Sequence, residues 1–583
     1  VATPTLVQHV VWQMSNEAGN AFKLTLPNAS LSNNCLILKI YYPSGVSVSS
    51  IVDDSNTWST TPIATVTDAG NSIIVAVFAV YGATAGAKTI TVTFSSTATT
   101  AFNPAFQEWT NIATSSALDG TPSAIVGVGT RAAPGIENIA SGSFNTSSDG
   151  DLILHFGQVT GWANNGDAGR YMGVAAAGQL DGISKIDRDT GYTLAQVDLD
   201  QGYFCEYTVQ ATHGATNPAA RVTDYQNAGW ASITLALKSA SAGTAPSAGT
   251  RVFGLQHFKP VGTGGTGLID YPWQFPRVGN TFIVGTSDPS DQIQVFAING
   301  PINGPWTKVT STTGEPTMLY KTSGIATDNE VMILTLWDQA THNYVQGCMY
   351  DIVYGGQYDT SANVSNGSFT IPGNTLDSPA ITPGVSSGIV VNVVGLATGP
   401  PDSLVTPGGV FVSVYYTGES DASSMDNGDC HGFYVYSSNA TQHWVYHDAG
   451  SGTSGDANGV AVSISSGPQI TSQPTNQYAY PGRSVTFSVT ASASSGSLSY
   501  QWYKNGNSIG SATSSTYTFT PNIQTGVADT YYVKVTDSNS FTYSATVEVI
   551  FYLPMFPTKG LHAADRDDGS QDYKSELTLL RWF

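Results

Sequence analysis

The chain has 583 residues, a formal charge of −21, 41% hydrophobic and only 11% charged residues. That length is too great for one core, and the apolar fraction excludes wholesale disorder. So acidic a surface repels phosphate backbones and anionic lipid, which argues against nucleic-acid partners, and no apolar run reaches the ~18 residues of a spanning helix, so no membrane insertion is expected.

Apolar runs are short, mostly of period two, and punctuated by Gly, Asn, Asp and Pro, so the expected class is all-β. LVQHVVW (Leu6–Trp12) reads as the opening strand. Then come Cys35–Tyr42 (CLILKIYY), the turn Asn56-Thr57-Trp58, and Ser72–Tyr81 (SIIVAVFAVY). TITVTF at Thr89–Phe94 alternates, with Ile90, Val92 and Phe94 on one face. DGDLILHFG at Asp149–Gly157 and YFCEYTV at Tyr203–Val209 flank a long connection rich in Gly and Asp, which is expected to be functional or locally structured.

The same order recurs downstream. Thr281–Gly285 (TFIVG) matches Cys35–Tyr42, and Gly304-Pro305-Trp306 matches the first Trp turn. Glu330–Trp337 (EVMILTLW) is taken as the counterpart of Ser72–Tyr81. Ser386–Gly395, Asp429–Val435 and Val460–Ile464 match Asp149–Gly157, Tyr203–Val209 and Ser232–Leu237. Two diverged copies of one large unit follow, at 1–238 and 251–466, joined by the small-residue linker 239–250 (SASAGTAPSAGT). Units of this size fit tandem jelly-roll-like or concanavalin-like β-sandwiches.

Beyond Gly467 the texture changes. Tyr480-Pro481-Gly482 precedes a strand at Ser484–Val489, LSYQWYKNG (Leu498–Gly506) carries Trp502, and ADTYYVKV (Ala528–Val535) carries Tyr531. This stretch, about 468–552, resembles the bacterial immunoglobulin-like (I-set) domains of secreted and cell-surface proteins. The resemblance implies a β-sandwich with Trp502 in its core, Tyr531 at a tyrosine corner, and Val489 and Val533 where other members hold a cysteine pair. It implies a spacer or adhesive role and brings no catalytic residue. The remaining 553–583 is charge-dense and ends in Leu577, Leu579, Leu580 and Trp582, a sticky side for a short helix that could dock on another domain or copy.

Catalytic patterns are missing. No G-x-S-x-G elbow occurs, and Glu108, Glu206 and Asp351, the acids on plausible strands, read singly as strand-edge or outward-facing residues. Asp187, Asp189, Asp198 and Asp200 cluster in Gly-containing loops and make the best available Ca²⁺ ligands, against the alternative that Asp sits in turns for backbone reasons. Trp162, Trp273 and Trp306 lie in polar Gly/Pro-rich stretches read as loops, where aromatic rings could stack on sugars or pack over the end of a sandwich. Cys35, Cys205, Cys348 and Cys430 permit one disulfide per repeat or stay buried thiols. The chain starts with Val and shows no leader, as a mature secreted chain or a trimmed one would.

The expectation is an extracellular, secreted or surface-displayed protein that binds or assembles without catalysis. Its partners would be a polysaccharide or cell-surface glycan, or copies of itself. The alternatives are a bacteriophage virion decoration or tail-fibre protein, and a polysaccharide-degrading enzyme with an accessory immunoglobulin-like domain.

Overall fold

The computed structural model describes residues 2–12, 19–98, 104–128, 135–160, 202–224, 229–241, 251–258, 455–479, 482–521 and 529–551. Between these it describes the strands and short stretches of 172–198 and 267–447. Every regular element among the described residues is a β-strand.

In the first roll eight strands follow one another: Thr5–Trp12, Gly19–Thr25, Cys35–Pro43, Val48–Asp53, Ala64–Asp68, Ile73–Val80, Thr89–Ala98 and Ala105–Thr110. The fifth, sixth, third, eighth and first strands form one sheet; the second, seventh and fourth form the other. This is a jelly-roll order. It recurs in 118–237, 251–353 and 355–466, so each of the two long repeats is itself a pair of jelly rolls. The second roll adds small hairpin strands, among them Met172–Ala175 and Gln179–Leu180, inside the connection that the sequence marked as long.

The strand order corrects one pairing made from sequence. Ile73–Val80 is the sixth strand of its roll, whereas Glu330–Asp338 is the seventh strand of the third roll and corresponds to Thr89–Ala98. An apolar run of Val, Ile and Leu does not record its place in the strand order, so two such runs match by composition alone. The other matched strands are equivalent, third with third, sixth with sixth and eighth with eighth, and the turn Gly304-Pro305-Trp306 lies outside the described residues.

Layering explains which runs are continuously apolar. In the first roll Phe22, Leu24, Ile90 and Val92 of the small sheet pack on Leu36, Leu38, Ile40 and Phe78 of the large one. The opposite face of that large sheet, with Ile37, Val75, Val77 and Trp109, packs on Leu152, Leu154, Phe156 and Ile233 of the second roll. The two large sheets are therefore inner layers covered on both sides, and Asp151–Val159 is buried at every residue. Thr89–Ala98 has one face on the core, and Ile90, Val92 and Phe94 are buried as their alternation requires.

The two repeats merge through their first strands. Thr5–Trp12 pairs in parallel with Arg251–Phe258, His9 opposite Gly254 and Val10 opposite Leu255, giving a continuous ten-stranded sheet. Equivalent strands running parallel across a seam relate the halves by an approximate twofold along the strands, which exchanges the faces of the sheet. Accordingly Ile389, Val391, Phe433, Val462 and Ile464 of the fourth roll join the cluster on the face that carries the first roll's small sheet. On the other side, Met172–Ala175 of the second roll extends the third roll's small sheet by pairing with Gly267–Phe275. At the seam His9 Nε2 lies 3.6 Å from Asp351 Oδ2, and Gly254 makes room, since a Cβ there would stand 2.0 Å from His9 Nε2.

Residues 469–551 form a separate sandwich around Phe487, Trp502, Tyr531, Val533 and Val535. Trp502 is fully buried and donates Nε1–H to the Ser514 carbonyl at 2.9 Å, and Val489 and Val533 both lie in the core. Among the described residues, the contacts between this domain and the fourth roll include Asn539 Nδ2 to Ser387 Oγ at 3.2 Å and Ser494 Oγ to the Ser466 carbonyl at 3.1 Å.

Candidate functional site

The residues singled out from sequence do not converge among the described residues. Trp162, Trp306 and Asp200 lie outside the described residues. Trp273 is not in a loop: it belongs to the strand Gly267–Phe275, opposite Met332. Pro272 beside it suggested a loop, but it lies within the strand opposite Ile333, and among the described residues the pairing with Met172–Ala175 reaches Ile269 and Asp270. Asp187 ends the strand Lys185–Asp187 opposite Arg221, and Asp198 ends Thr193–Asp198 opposite Tyr203, in the other sheet. Asp189 accepts the Ala219 N–H at 3.2 Å, the backbone role open to any loop Asp. Among the described residues no three His, Cys, Asp or Glu side chains form a metal-binding group.

Glu108, Glu206 and Asp351 are not outward-facing; all three are buried. The outward reading assumed sheets with one wet face, and these strands lie in doubly covered layers. Glu108 accepts hydrogen bonds from Gln8 Nε2 at 2.5 Å, the Leu31 N–H at 2.8 Å and Asn34 Nδ2 at 2.7 Å. Burial raises its carboxyl pKa, and these donors work against the rise.

Glu206 belongs to a constellation that no sequence motif announced. It stands on Tyr203–Gln210 directly opposite His155 of Asp151–Val159, which is flanked on its other side by Gly229–Leu237. His155 Nδ1 is 2.7 Å from Glu206 Oε1, and His155 Nε2 is 3.0 Å from Ser232 Oγ. A carboxylate only accepts, so in the neutral imidazole Nδ1 carries the proton and Ser232 donates to Nε2. Glu206 Oε2 accepts the Asp189 N–H at 2.7 Å, and the imidazole meets Phe204 edge-on at 5.3 Å. These are the connections of a serine, base and orienting acid. Burial decides what they can do: His155 and Glu206 are 0% exposed and Ser232 1%, inside the second roll and away from any substrate. Held there, the three satisfy one another's hydrogen bonds. The one sequence signal was His155 itself, a lone polar residue in LILHFG on the face that carries Ile153 rather than Leu154.

A second polar group lies between the first two rolls. Lys39, fully buried, donates Nζ–H to Gln158 Oε1 at 2.5 Å and sits 4.1 Å from the Tyr203 ring centre. Tyr203 Oη–H and Gln107 Nε2 both donate to Gln196 Oε1, at 2.8 and 2.7 Å. Gln196 Nε2 donates to the Val10 and Phe106 carbonyls, so the second roll completes the first roll's backbone bonding. Buried amides that fit only one partner fix the register of two otherwise apolar faces.

The third group is a carboxylate pair at one end of the second roll. Asp119 accepts from the Ser147 N–H and hydroxyl and from the Ser148 N–H, and lies 3.7 Å from Lys238 Nζ. Burial would raise its pKa, but the hydrogen bonds from Ser147 and Asp151 and the nearby Lys238 charge together outweigh this and hold it down at about 2. Asp151, buried beside it, is pushed up to about 7 by burial and then by the neighbouring Asp119, to which its protonated carboxyl is hydrogen-bonded.

Cys35, Cys205 and Cys348 are free buried thiols, pushed up by burial, in three different rolls, so Cys35–Cys205 and Cys348–Cys430 bridges are not formed.

Comparison with known proteins bears on one part of the chain. Residues 467–547 match the family model described as an immunoglobulin domain. With the core around Trp502, this makes the segment an immunoglobulin-like domain, appended to tandem jelly-roll sandwiches. A search of curated proteins returns no match. Among solved structures, the N-terminal Ig1-2 module of the Drosophila receptor protein tyrosine phosphatase DLAR is 12% identical, with a TM-score of 0.14 over 33% of this chain and 99% of that one. Sidekick-1 immunoglobulin domains 1–4 are 12% identical, with a TM-score of 0.13 over 48% and 74%. The BSP domain of a biofilm associated protein is 10% identical, with a TM-score of 0.14 over 94% and 96%.

Proposed function

We propose that this chain is an extracellular or surface-displayed protein that binds or assembles without catalysis, presenting a rigid jelly-roll stack with an immunoglobulin-like domain at its end. One observation carries the reading. The rolls are fused by a continuous sheet and shared cores, and the one constellation of catalytic type among the described residues, Ser232–His155–Glu206, is enclosed inside the second roll. A fused stack keeps its outer loops at fixed separations, which suits adhesion to a glycan or cell envelope, or ordered association of copies. The jelly-roll and immunoglobulin-like architectures support this class, and no helix among the described residues is long and apolar enough to cross a membrane.

The test combines a glycan array, a reducing-sugar assay and electron microscopy of the purified chain. Retention on glycans without sugar release, or regular assemblies, is expected. Sugar release from any bound polymer, or covalent labelling of Ser232 by a fluorophosphonate, would overturn it.

A further inference from the structure

The two outer faces of the immunoglobulin-like domain differ. The face formed by Val485–Ser488 and Thr516–Phe519 is a hydroxyl ladder, with Thr486 Oγ1 2.8 Å from Thr518 Oγ1. The outer face of the larger sheet is aromatic. Tyr503 and Tyr532 stack at 4.9 Å and 6°, Tyr543 meets Tyr532 edge-on at 5.6 Å, and Phe541 meets Tyr543 at 5.4 Å. Lys534 Nζ lies 3.7 Å from the Phe541 ring centre. These residues are half-buried, alternating with the inward Tyr531, Val533 and Val535. The strip continues along the strands past Thr530, paired with Glu548, to Ile550 and its neighbour Tyr478, which are 39% and 59% exposed. A cluster of aromatic rings on the outer face of a small domain, with exposed apolar residues further along the same strands, marks an interaction surface.

We propose that this face docks the chain's own C-terminal segment, residues 573–583 (YKSELTLLRWF). The chain leaves the sheet at Phe551, directly after Ile550 at one end of the strip. Returning along the strip takes roughly 25 Å, about 8 extended residues, and residues 552–583 exceed that. The segment closes with Leu577, Leu579, Leu580 and Trp582, which need apolar cover, among Lys574, Glu576 and Arg581, which can face Glu548 and Lys534. A sugar chain fits less well. Stacking turns the faces of Tyr503 and Tyr532 toward each other, leaving no flat platform outward, whereas grooves between ring edges accept aliphatic side chains.

The test uses the full chain with p-benzoylphenylalanine at position 543, irradiated and mapped by mass spectrometry. Cross-links are expected in 573–583, and none there when the probe replaces Thr518 on the hydroxyl face. A cross-link into the same segment of a second copy, recognised by dimer mass, equally supports the docking and makes it intermolecular. Leu580→Asp with Trp582→Asp should abolish the cross-link and speed amide exchange at Phe541–Tyr543 several-fold. Cross-links falling elsewhere, or none, with exchange unchanged by the double substitution, overturn the proposal.

Discussion

The jelly-roll stack and the immunoglobulin-like domain solve the same problem, covering sheet faces, in opposite ways. In the stack each large sheet is covered twice, by its own small sheet and by the next roll, and polar side chains such as Lys39 and His155 are enclosed with partners. The immunoglobulin-like domain has one small core, an aromatic one, and one outer face still carrying Tyr and Phe. The stack therefore stands or falls as shared layers, whereas the terminal domain has its own cohesion and a surface to offer. Two separable unfolding transitions follow, one for the stack and one for the domain.

Trp502→Ala would break the comparison most sharply. Removing the central side chain of a small core costs about 4 kcal/mol, so the domain's transition should collapse while that of the stack stays put in differential scanning calorimetry. His155→Ala is the reciprocal, leaving the Glu206 carboxylate buried beside an emptied site at a cost of about 3 kcal/mol. Only the stack transition should move, and since the first two rolls share a core, exchange in Cys35–Pro43 should rise together with that in Asp151–Val159. Gly254→Ala sets a Cβ against His9 at the seam, costing about 2 kcal/mol as overpacking, and small-angle scattering should show the halves loosened. The smallest effect is Asp151→Asn. A carboxyl held near 7 in the fold and near 4 when unfolded favours the folded state at low pH. That advantage is lost as pH rises through about 7. The substitution should stabilise the stack above pH 7 by about 1 kcal/mol after solvent screening, and flatten the dependence between about 4 and 7, read from urea midpoints.

Sequence revealed architecture where period and order suffice. Ile90, Val92 and Phe94 gave their face away by alternation, and Trp502 with Tyr531 by spacing, because those strands meet one core. It was less informative where strands meet two. Cys35–Pro43 and Asp151–Val159 carry apolar residues on both faces, interrupted only by Lys39 in one and by Asp151, His155 and Gln158 in the other, so nothing in them tells a sheet's inner layer from a single long strand, and four rolls read as two. The relay of Ser232, His155 and Glu206 stayed hidden because its members come from separate strands and meet only through register. Trp273 was misplaced for a related reason: Pro272 signals a turn, and only the pairing with Glu330–Asp338 shows that it lies within a strand.

The parallel seam has a mechanical corollary. Thr5–Trp12 lies between two neighbours, antiparallel Ala105–Thr110 and parallel Arg251–Phe258, in the middle of the widest sheet. A pull on the chain ahead of Thr5 acts along the strand, so both ladders must slide at once instead of opening bond by bond. Tension entering there meets shear resistance from both halves together.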